Sequence, residues 1–268
     1  MIIIHVINNL EIGGAETQLV KLVSNDLNNK NIILNLIGRN SFISDLKKKN
    51  IEIINFNFKS KNPLVFCINF YLFLKTIKQY KPSVIVFWLY HSFIFSIFIK
   101  FLFKKIKIYW NIRQVIPNFK FEKKLTKFIY LICKFFSRLP DGLIFNSKES
   151  LSMHKKNNFI NKNTFYIPNG FEFIDNKITF KDRYFEEKIK KKKVISLIAR
   201  YHSSKGHMIF FNAALKLLKK HKELIFFIAG KNLFNEKIFI NKINEYDLSN
   251  HFYILDEINN VDYYLKLS

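Results

Sequence analysis

Cysteine is nearly absent from this sequence. Cys67 and Cys133 stand far apart in apolar surroundings, which excludes a disulfide-held scaffold and reads as two reduced core thiols in a cytoplasmic protein. The histidines are scattered without ligand spacing. His202 and His207 flank one loop, but a shared metal is not expected there, and no metal ligand is assigned. The first residues lack a basic n-region and a small-residue cleavage site, so "MIIIHVI" reads as a first strand and not as a signal peptide. Carboxylates are scarce: 20 Asp and Glu face 44 Lys and Arg, a formal charge of +24 in 268 residues. Such a charge predicts attraction to phosphates, to nucleic acid or to an anionic membrane surface. The crowding of Lys, Asn, Ile and Phe is also what an AT-rich coding sequence produces, so the location of charge informs more than its total. No helix-turn-helix, zinc or RNP-type pattern supports a nucleic-acid partner.

What is abundant is apolar surface, 49% of residues, enough to bury the core of one large domain or two ordinary ones. Apolar β-type runs recur at 1–7, 31–37, 51–56, 84–89, 106–110, 142–145 and 164–167, with helical patterns between most of them. Strands alternating with helices predict parallel βαβ units, and hence a doubly wound α/β sheet. Residues 175–193 are polar and carry a lysine run, which reads as a linker. The theme then returns: a strand at 194–199, a loop ending in Gly206, a helix, and two further strands in "LIFFIAG" and "HFYIL" around a helix at 236–246. The expected organisation is a Rossmann-like domain over 1–174, the linker, and a second Rossmann-like domain over 194–268. The run "VIVFWLYHSFIFSIFIKFLF" is long enough for a bilayer span. The preceding turn signal "YKPS" and the cost of His91 in mid-bilayer favour a buried strand and helix.

Gly13 and Gly14 sit where the first strand gives way to a helix, a place where backbone N–H groups and the helix dipole favour an anion; a plain tight turn is the simpler alternative. In the second unit Arg200 and Lys205 stand beside Gly206. A guanidinium that holds phosphate oxygens in pairs, with an ammonium beside it, could neutralise a diphosphate without a metal ion. Solvated loop charges are the alternative. Two such sheets would place their strand ends towards a common cleft.

The stretches "HVINNLEIGGAE", "WLYHS", "YWNIRQ", "IFNSKES", "IPNGFE" and "LIARYHSSKGH" stand in the order found in family-four retaining glycosyltransferases of the GT-B fold, particularly those that build bacterial surface polysaccharides. The sequence resembles that family from His5 to its last residue. The resemblance implies a nucleotide-diphosphate sugar as co-substrate with no further cofactor, and a glycan or lipid-linked acceptor. It also implies a place at the inner face of the cytoplasmic membrane. Gly13 and Gly14 would lie close to donor diphosphate and acceptor, while Arg200, Lys205 and Gly206 would hold the diphosphate. Arg200 and Lys205 would stabilise charge on the departing nucleotide. His91 and Arg113 match positions that contact acceptor or sugar; a helix-capping His91 and an ion-paired Arg113 are the structural alternatives. Asn146 and Ser147 are read as shaping a loop, and Glu16 as complementing its helix dipole. Asn111 departs from the family, many of whose members carry a histidine near it, so no general base is assigned.

In the family, residues beyond "YYLKLS" carry two glutamates with seven residues between them that hold the donor sugar and ribose. The sequence stops at Ser268. The expectation is therefore a partial second domain with an uncovered apolar edge and face, and weak or no transfer by this chain. A catalytically inactive nucleotide-binding or scaffold relative is the alternative. A helix over about 119–138 mixes Lys with Phe and Ile and would lie on an anionic membrane, or pack on its own sheet.

Overall fold

The computed structural model describes residues 1–116, 124–171, 181–202, 205–234, 237–258 and 260–268. The chain is α/β and divides into two compact units, Met1–Phe171 and Glu172–Ser268. The first unit carries β1 (Ile2–Ile7), α1 (Gly14–Asn25), β2 (Lys30–Asn35), α2 (Ile43–Lys48), β3 (Glu52–Asn55), α3 (Pro63–Tyr80) and β4 (Val84–Trp88). It continues with α4 (Tyr90–Leu102), β5 (Lys107–Ile112), α5 (Lys124–Phe135), β6 (Gly142–Phe145), α6 (Lys148–Lys156) and β7 (Thr164–Tyr166). The seven strands form one parallel sheet in the order β3-β2-β1-β4-β5-β6-β7.

The central strands are largely apolar because both faces are covered. Ile4, Val6, Ile32, Leu34, Ile85 and Phe87 point into a core shared with Phe73 and Ile77 of α3, Phe93 and Ile99 of α4, and Tyr130 and Cys133 of α5. Their neighbours Ile7, Ile33 and Trp88 point the other way, onto Leu19 and Val23 of α1 and Leu46 of α2. Helices α3, α4 and α5 therefore make one layer and α1 and α2 the other. Each such side chain contributes about 1.5–3 kcal/mol through burial.

The apolar run 84–103 resolves into β4 and α4. Its polar residues have partners inside the fold: Ser92 Oγ donates to the Trp88 carbonyl at 2.7 Å, and Ser96 Oγ accepts from Trp110 Nε1 at 2.7 Å. Among the described residues no helix is long and apolar enough to cross a membrane.

The second unit holds α7 (Arg183–Lys188), β8 (Lys193–Ile198), α8 (His207–Leu218), β9 (Leu224–Ala229), α9 (Lys237–Glu245), β10 (Phe252–Leu255) and α10 (Val261–Lys266). Its three strands are parallel, in the order β10-β9-β8. Phe226 and Ile228 face Phe211 of α8 and Phe239 of α9. Phe227 and Ala229 face Phe185 of α7 and Tyr263 and Tyr264 of α10.

Three sequence expectations are corrected. The stretch read as a linker contains α7, whose Phe185 is fully buried; residues 175–180 of that stretch lie outside the described residues. Among the described residues both faces of the second sheet carry helices, α8 and α9 on one and α7 and α10 on the other, where Tyr264 stacks on Phe227 with centroids 4.7 Å apart. Cys67 is exposed while Cys133 is buried, since Cys67 falls on the outward side of α3 with Leu64 and Tyr71. The basic helix is described from Lys124 onward, and its expected start, 119–123, is outside the described residues.

Candidate functional site

In a parallel sheet every strand delivers its following loop to the same edge. In the first unit the strand order reverses between β1 and β4, and a crevice opens at such a switch point, beyond the carboxyl ends of the strands. Ile7 pairs with Trp88, and Trp88 with Asn111, so the residues that follow β1, β4 and β5 leave adjacent strands side by side. Those residues carry Gly13–Gly14, His91 and Arg113, and the fold brings these sequence-predicted positions to one edge.

The β1 loop runs from Asn8 to Gly13 and is pinned by Leu10, whose N–H donates to the Arg39 carbonyl at 2.9 Å, and by an Arg39–Glu11 ion pair at 3.2 Å. Gly13 is the N-cap of α1 in extended backbone that any residue adopts, with no side-chain cap. The Glu16 carboxylate folds over it, such that a Cβ on Gly13 would fall 2.4 Å from Glu16 Oε2. Glu16 thus sits where the helix dipole favours negative charge. A Cβ on Gly14 would meet nothing within 4 Å, so packing within the chain does not require glycine there.

After β4 the backbone is strained: Leu89 adopts φ 66° and ψ 156°, a region ordinarily held by glycine and costing about 1–3 kcal/mol. This turn sends Tyr90 inward and leaves His91 half-buried in the first turn of α4. Tyr90 is buried and bonds His154 Nε2. Because His154 Nδ1–H donates to the Ser150 carbonyl at 2.7 Å, the Tyr90 hydroxyl is the donor, and α4 is tied to α6. Ser147 caps α6 by accepting from the Ser150 N–H at 3.0 Å, in keeping with a loop-shaping role.

Arg113 follows β5. Its guanidinium lies over the Trp88 ring, 4.9 Å from the centroid, and donates to Asn169 Oδ1 in the loop after β7. Burial lowers its pKa from the ordinary arginine value. Its Nε is buried and has no hydrogen-bond partner among the described residues. The structural alternative weighed for Arg113, an ion pair, is replaced by a cation–π contact and an amide. Trp88 Nε1 donates in turn to His5 Nδ1 at 3.2 Å, and His5 Nε2 donates to Asn31 Oδ1 at 3.0 Å. The Asn31 amide then donates to Asp26 at 3.0 Å. An indole can only donate, so His5 is held as the neutral Nε2–H tautomer, and burial lowers its pKa to about 4. This chain of contacts fixes the ring on which Arg113 rests. Asn111, where a histidine was expected from the resemblance, is buried with its Oδ1 unpartnered among the described residues.

In the second unit β8 ends at Ile198 and Arg200 and Lys205 are both exposed on the loop that follows. Gly206 takes φ 72° as N-cap of α8, again without a side-chain cap. His207 is buried and its Nε2 donates to the Ala199 carbonyl at 3.2 Å, so it secures the loop from beneath. Arg200, Lys205 and Gly206 are thus gathered on one loop at the start of a twelve-residue helix. Sequence reading missed Gly230. It has φ 157°, and a Cβ there would lie 2.0 Å from the Ala199 carbonyl oxygen and 2.7 Å from Arg200 N. Only glycine lets the loop after β9 pass against the base of Arg200. The "AG" at the end of "LIFFIAG" was the available signal.

No protein-family model and no curated protein matches the sequence. Solved structures do resemble the chain. HepE from Anabaena, in complex with UDP-glucose, aligns with 98% of this chain and 70% of its own, at 16% identity and a TM-score of 0.75. A glycosyltransferase from Rickettsia africae aligns over 100% of this chain and 71% of its own, at 19% identity and 0.71. Sucrose-phosphate synthase from Thermosynechococcus elongatus aligns over 99% and 72%, at 11% identity and 0.70. At such identities the likeness is one of fold, and the fold is that of the GT-B glycosyltransferases.

Proposed function

We propose that this protein is a glycosyltransferase that takes a sugar from a nucleotide-diphosphate donor and passes it, with retention at the anomeric carbon, to a lipid-linked glycan acceptor in surface-polysaccharide synthesis. The observation that carries the reading is the loop of the second unit, where two exposed cations and a left-handed glycine stand at an uncapped helix N-terminus. Such a loop suits a diphosphate: backbone N–H groups and helix dipole on one side, guanidinium and ammonium on the other. HepE, of the same fold, was crystallised with UDP-glucose, which makes a uridine diphosphate sugar the first donor to test.

In this reading Arg200 and Lys205 bind the diphosphate and gain most as charge develops on the leaving nucleotide, so they act on the transition state more than on the ground state. These two cations supply the neutralisation that a metal would otherwise give. His91 and Arg113, with Gly13 and Gly14, form the acceptor side. Arg113 is held by Trp88 and Asn169 and has little side-chain freedom left to lose when it binds a hydroxyl or phosphate.

Titration calorimetry of the whole chain with UDP tests this. Arg200→Ala and Lys205→Ala should each weaken binding by about 1.5–3 kcal/mol, the range for a hydrogen bond to a charged group. NMR of the product formed from the donor sugar and a lipid-linked acceptor should show a retained anomeric configuration. Unchanged affinity in both variants would overturn the donor site, and a product of inverted configuration would overturn the retaining mechanism; transfer by this chain itself is expected to be weak.

A further inference from the structure

We propose that a cavity at the amino edge of the second sheet is a binding site for a small sugar phosphate, with the phosphate on Lys188 and Lys192 and the sugar hydroxyls on Glu187 and Asn250. The site lies wholly within the second unit and stands apart from the donor-site reading.

The cavity measures about 450 Å³ and is lined by Tyr184, Glu187, Lys188, Lys192, Ile225 and Asn250, within the range of about 300–1,000 Å³ usual for small-molecule sites. Chain order fixes its place. Lys192 directly precedes β8, Ile225 is the second residue of β9, Asn250 stands two residues before β10, and the three strands are parallel. All three residues therefore gather at the amino ends of the strands. Arg200, Lys205 and Gly206 follow the carboxyl end of β8, so the cavity and the candidate donor loop occupy opposite edges of one sheet. Helix α7 forms the wall. Its Tyr184, Glu187 and Lys188, three and four residues apart, share one face. Ile225 is buried and, alternating with Phe226, lies on the α7 side of β9 with Phe227. It makes an apolar floor.

Charge selects the occupant. Lys188 is half-buried, and its Nζ donates to the Phe252 carbonyl at 3.0 Å and the Ser249 carbonyl at 3.3 Å. Among the described residues it makes no ion pair. Two neutral carbonyls leave one N–H of the ammonium unused and its charge without a counter-ion, and burial lowers its pKa from the ordinary lysine value. An anion in the cavity would remove that cost. Lys192 adds an exposed second ammonium, and Lys190, Lys191 and Lys193 beside it bias the local potential towards anions. Glu187 and Asn250 serve the other end of the ligand. A carboxylate repels a bare phosphate but accepts from hydroxyls, and a carboxamide both donates and accepts. The exposed Tyr184 ring supplies an apolar wall for the C–H face of a pyranose. A phosphate joined to hydroxyls uses every one of these groups, whereas a polyanion would meet the Glu187 carboxylate.

The test is titration of the whole chain, without nucleotide, followed by amide NMR, with glucose 6-phosphate, inorganic phosphate and glucose as separate probes. Glucose 6-phosphate should shift amides at 184–192, 225 and 250. It should bind at least about fivefold more tightly than inorganic phosphate, the gain from hydroxyls on Glu187 and Asn250, and glucose alone should cause no shift. Lys192→Gln should weaken glucose 6-phosphate about fivefold, and Glu187→Gln should shrink the preference over inorganic phosphate. Both side chains are exposed, so the fold should be kept. Should either variant fail to fold, Tyr184→Ala is expected to weaken binding severalfold. Arg200→Ala and Lys205→Ala should leave glucose 6-phosphate binding unchanged whatever they do to UDP, which separates this site from the donor loop. Absence of shifts at 184–192, equal affinity for inorganic phosphate, or binding lost in Arg200→Ala and kept in Lys192→Gln would each overturn the proposal.

Discussion

Gly230 shows how much can rest on one hydrogen atom. Any Cβ would overlap the Ala199 carbonyl, and the backbone at φ 157° is itself unfavourable for a side chain. Gly230→Ala must therefore either displace the end of β8 or flatten the loop after β9. The expected result is a loss of at least about 2 kcal/mol in urea unfolding, together with weaker UDP binding even though Gly230 carries no charge. Wild-type stability in Gly230→Ala would show that the loop relaxes cheaply. Gly14 of the first unit follows a different logic, since a Cβ there has open space. Gly13–Gly14 was conspicuous in the sequence, whereas Gly230 was hidden in a strand. The need for glycine at 230 comes from Ala199, thirty-one positions away, and no local pattern reports it.

At the scale of elements, α7 shows what holds a short helix in place. It is six residues long and too short to persist alone. Asp182 anchors it: Oδ1 caps the Phe185 N–H at 2.9 Å, and Oδ2 accepts from Tyr264 at 2.9 Å and Tyr253 at 3.1 Å. Burial, and then the neighbouring carboxylate, raise both phenol pKa values well above the ordinary tyrosine value, so both hydroxyls remain donors. Asp182→Ala should remove the cap and the carboxylate that accepts from Tyr253 and Tyr264, at about 2–4 kcal/mol. Hydrogen exchange should then speed up in 183–188 and 261–266 before it does in β9; unaltered protection there would refute the anchor. The apolar strands were legible because short β-branched runs bounded by turn signals recur between helical patterns. Helix α7 was not, because its sequence is charged and Asp182 takes its role from Tyr253 and Tyr264, far away in sequence.

Across the whole molecule, buried neutral histidines set the response to acid. Burial holds the His5 pKa at about 4, only partly offset by Asn31 and Asp26, against about 6.5 in the unfolded chain. Above 6.5 His5 is neutral in both states and its contribution is fully present. As pH falls towards 4 the unfolded chain takes up a proton that the folded protein refuses, and about 3 kcal/mol is lost. Burial also lowers the pKa of His154 and His207, which adds acid sensitivity of the same sign. Urea unfolding at pH 7 and pH 4.5 should show His5→Gln losing less stability on acidification than the native chain. Equal losses would mean that His5 is protonated within the fold.

Local chemistry determined the α/β class and the ten strands of the described residues to within a few positions, because periodicity and β-branching are properties of neighbouring residues. Tertiary structure alone decided the switch point between β1 and β4, the strained turn at Leu89, and the tyrosine clamp on Asp182. The same is true of Arg113 resting on Trp88 in place of an ion pair. Each of these depends on which distant residues a parallel sheet sets side by side, and strand order is fixed by packing between elements that a linear pattern does not contain.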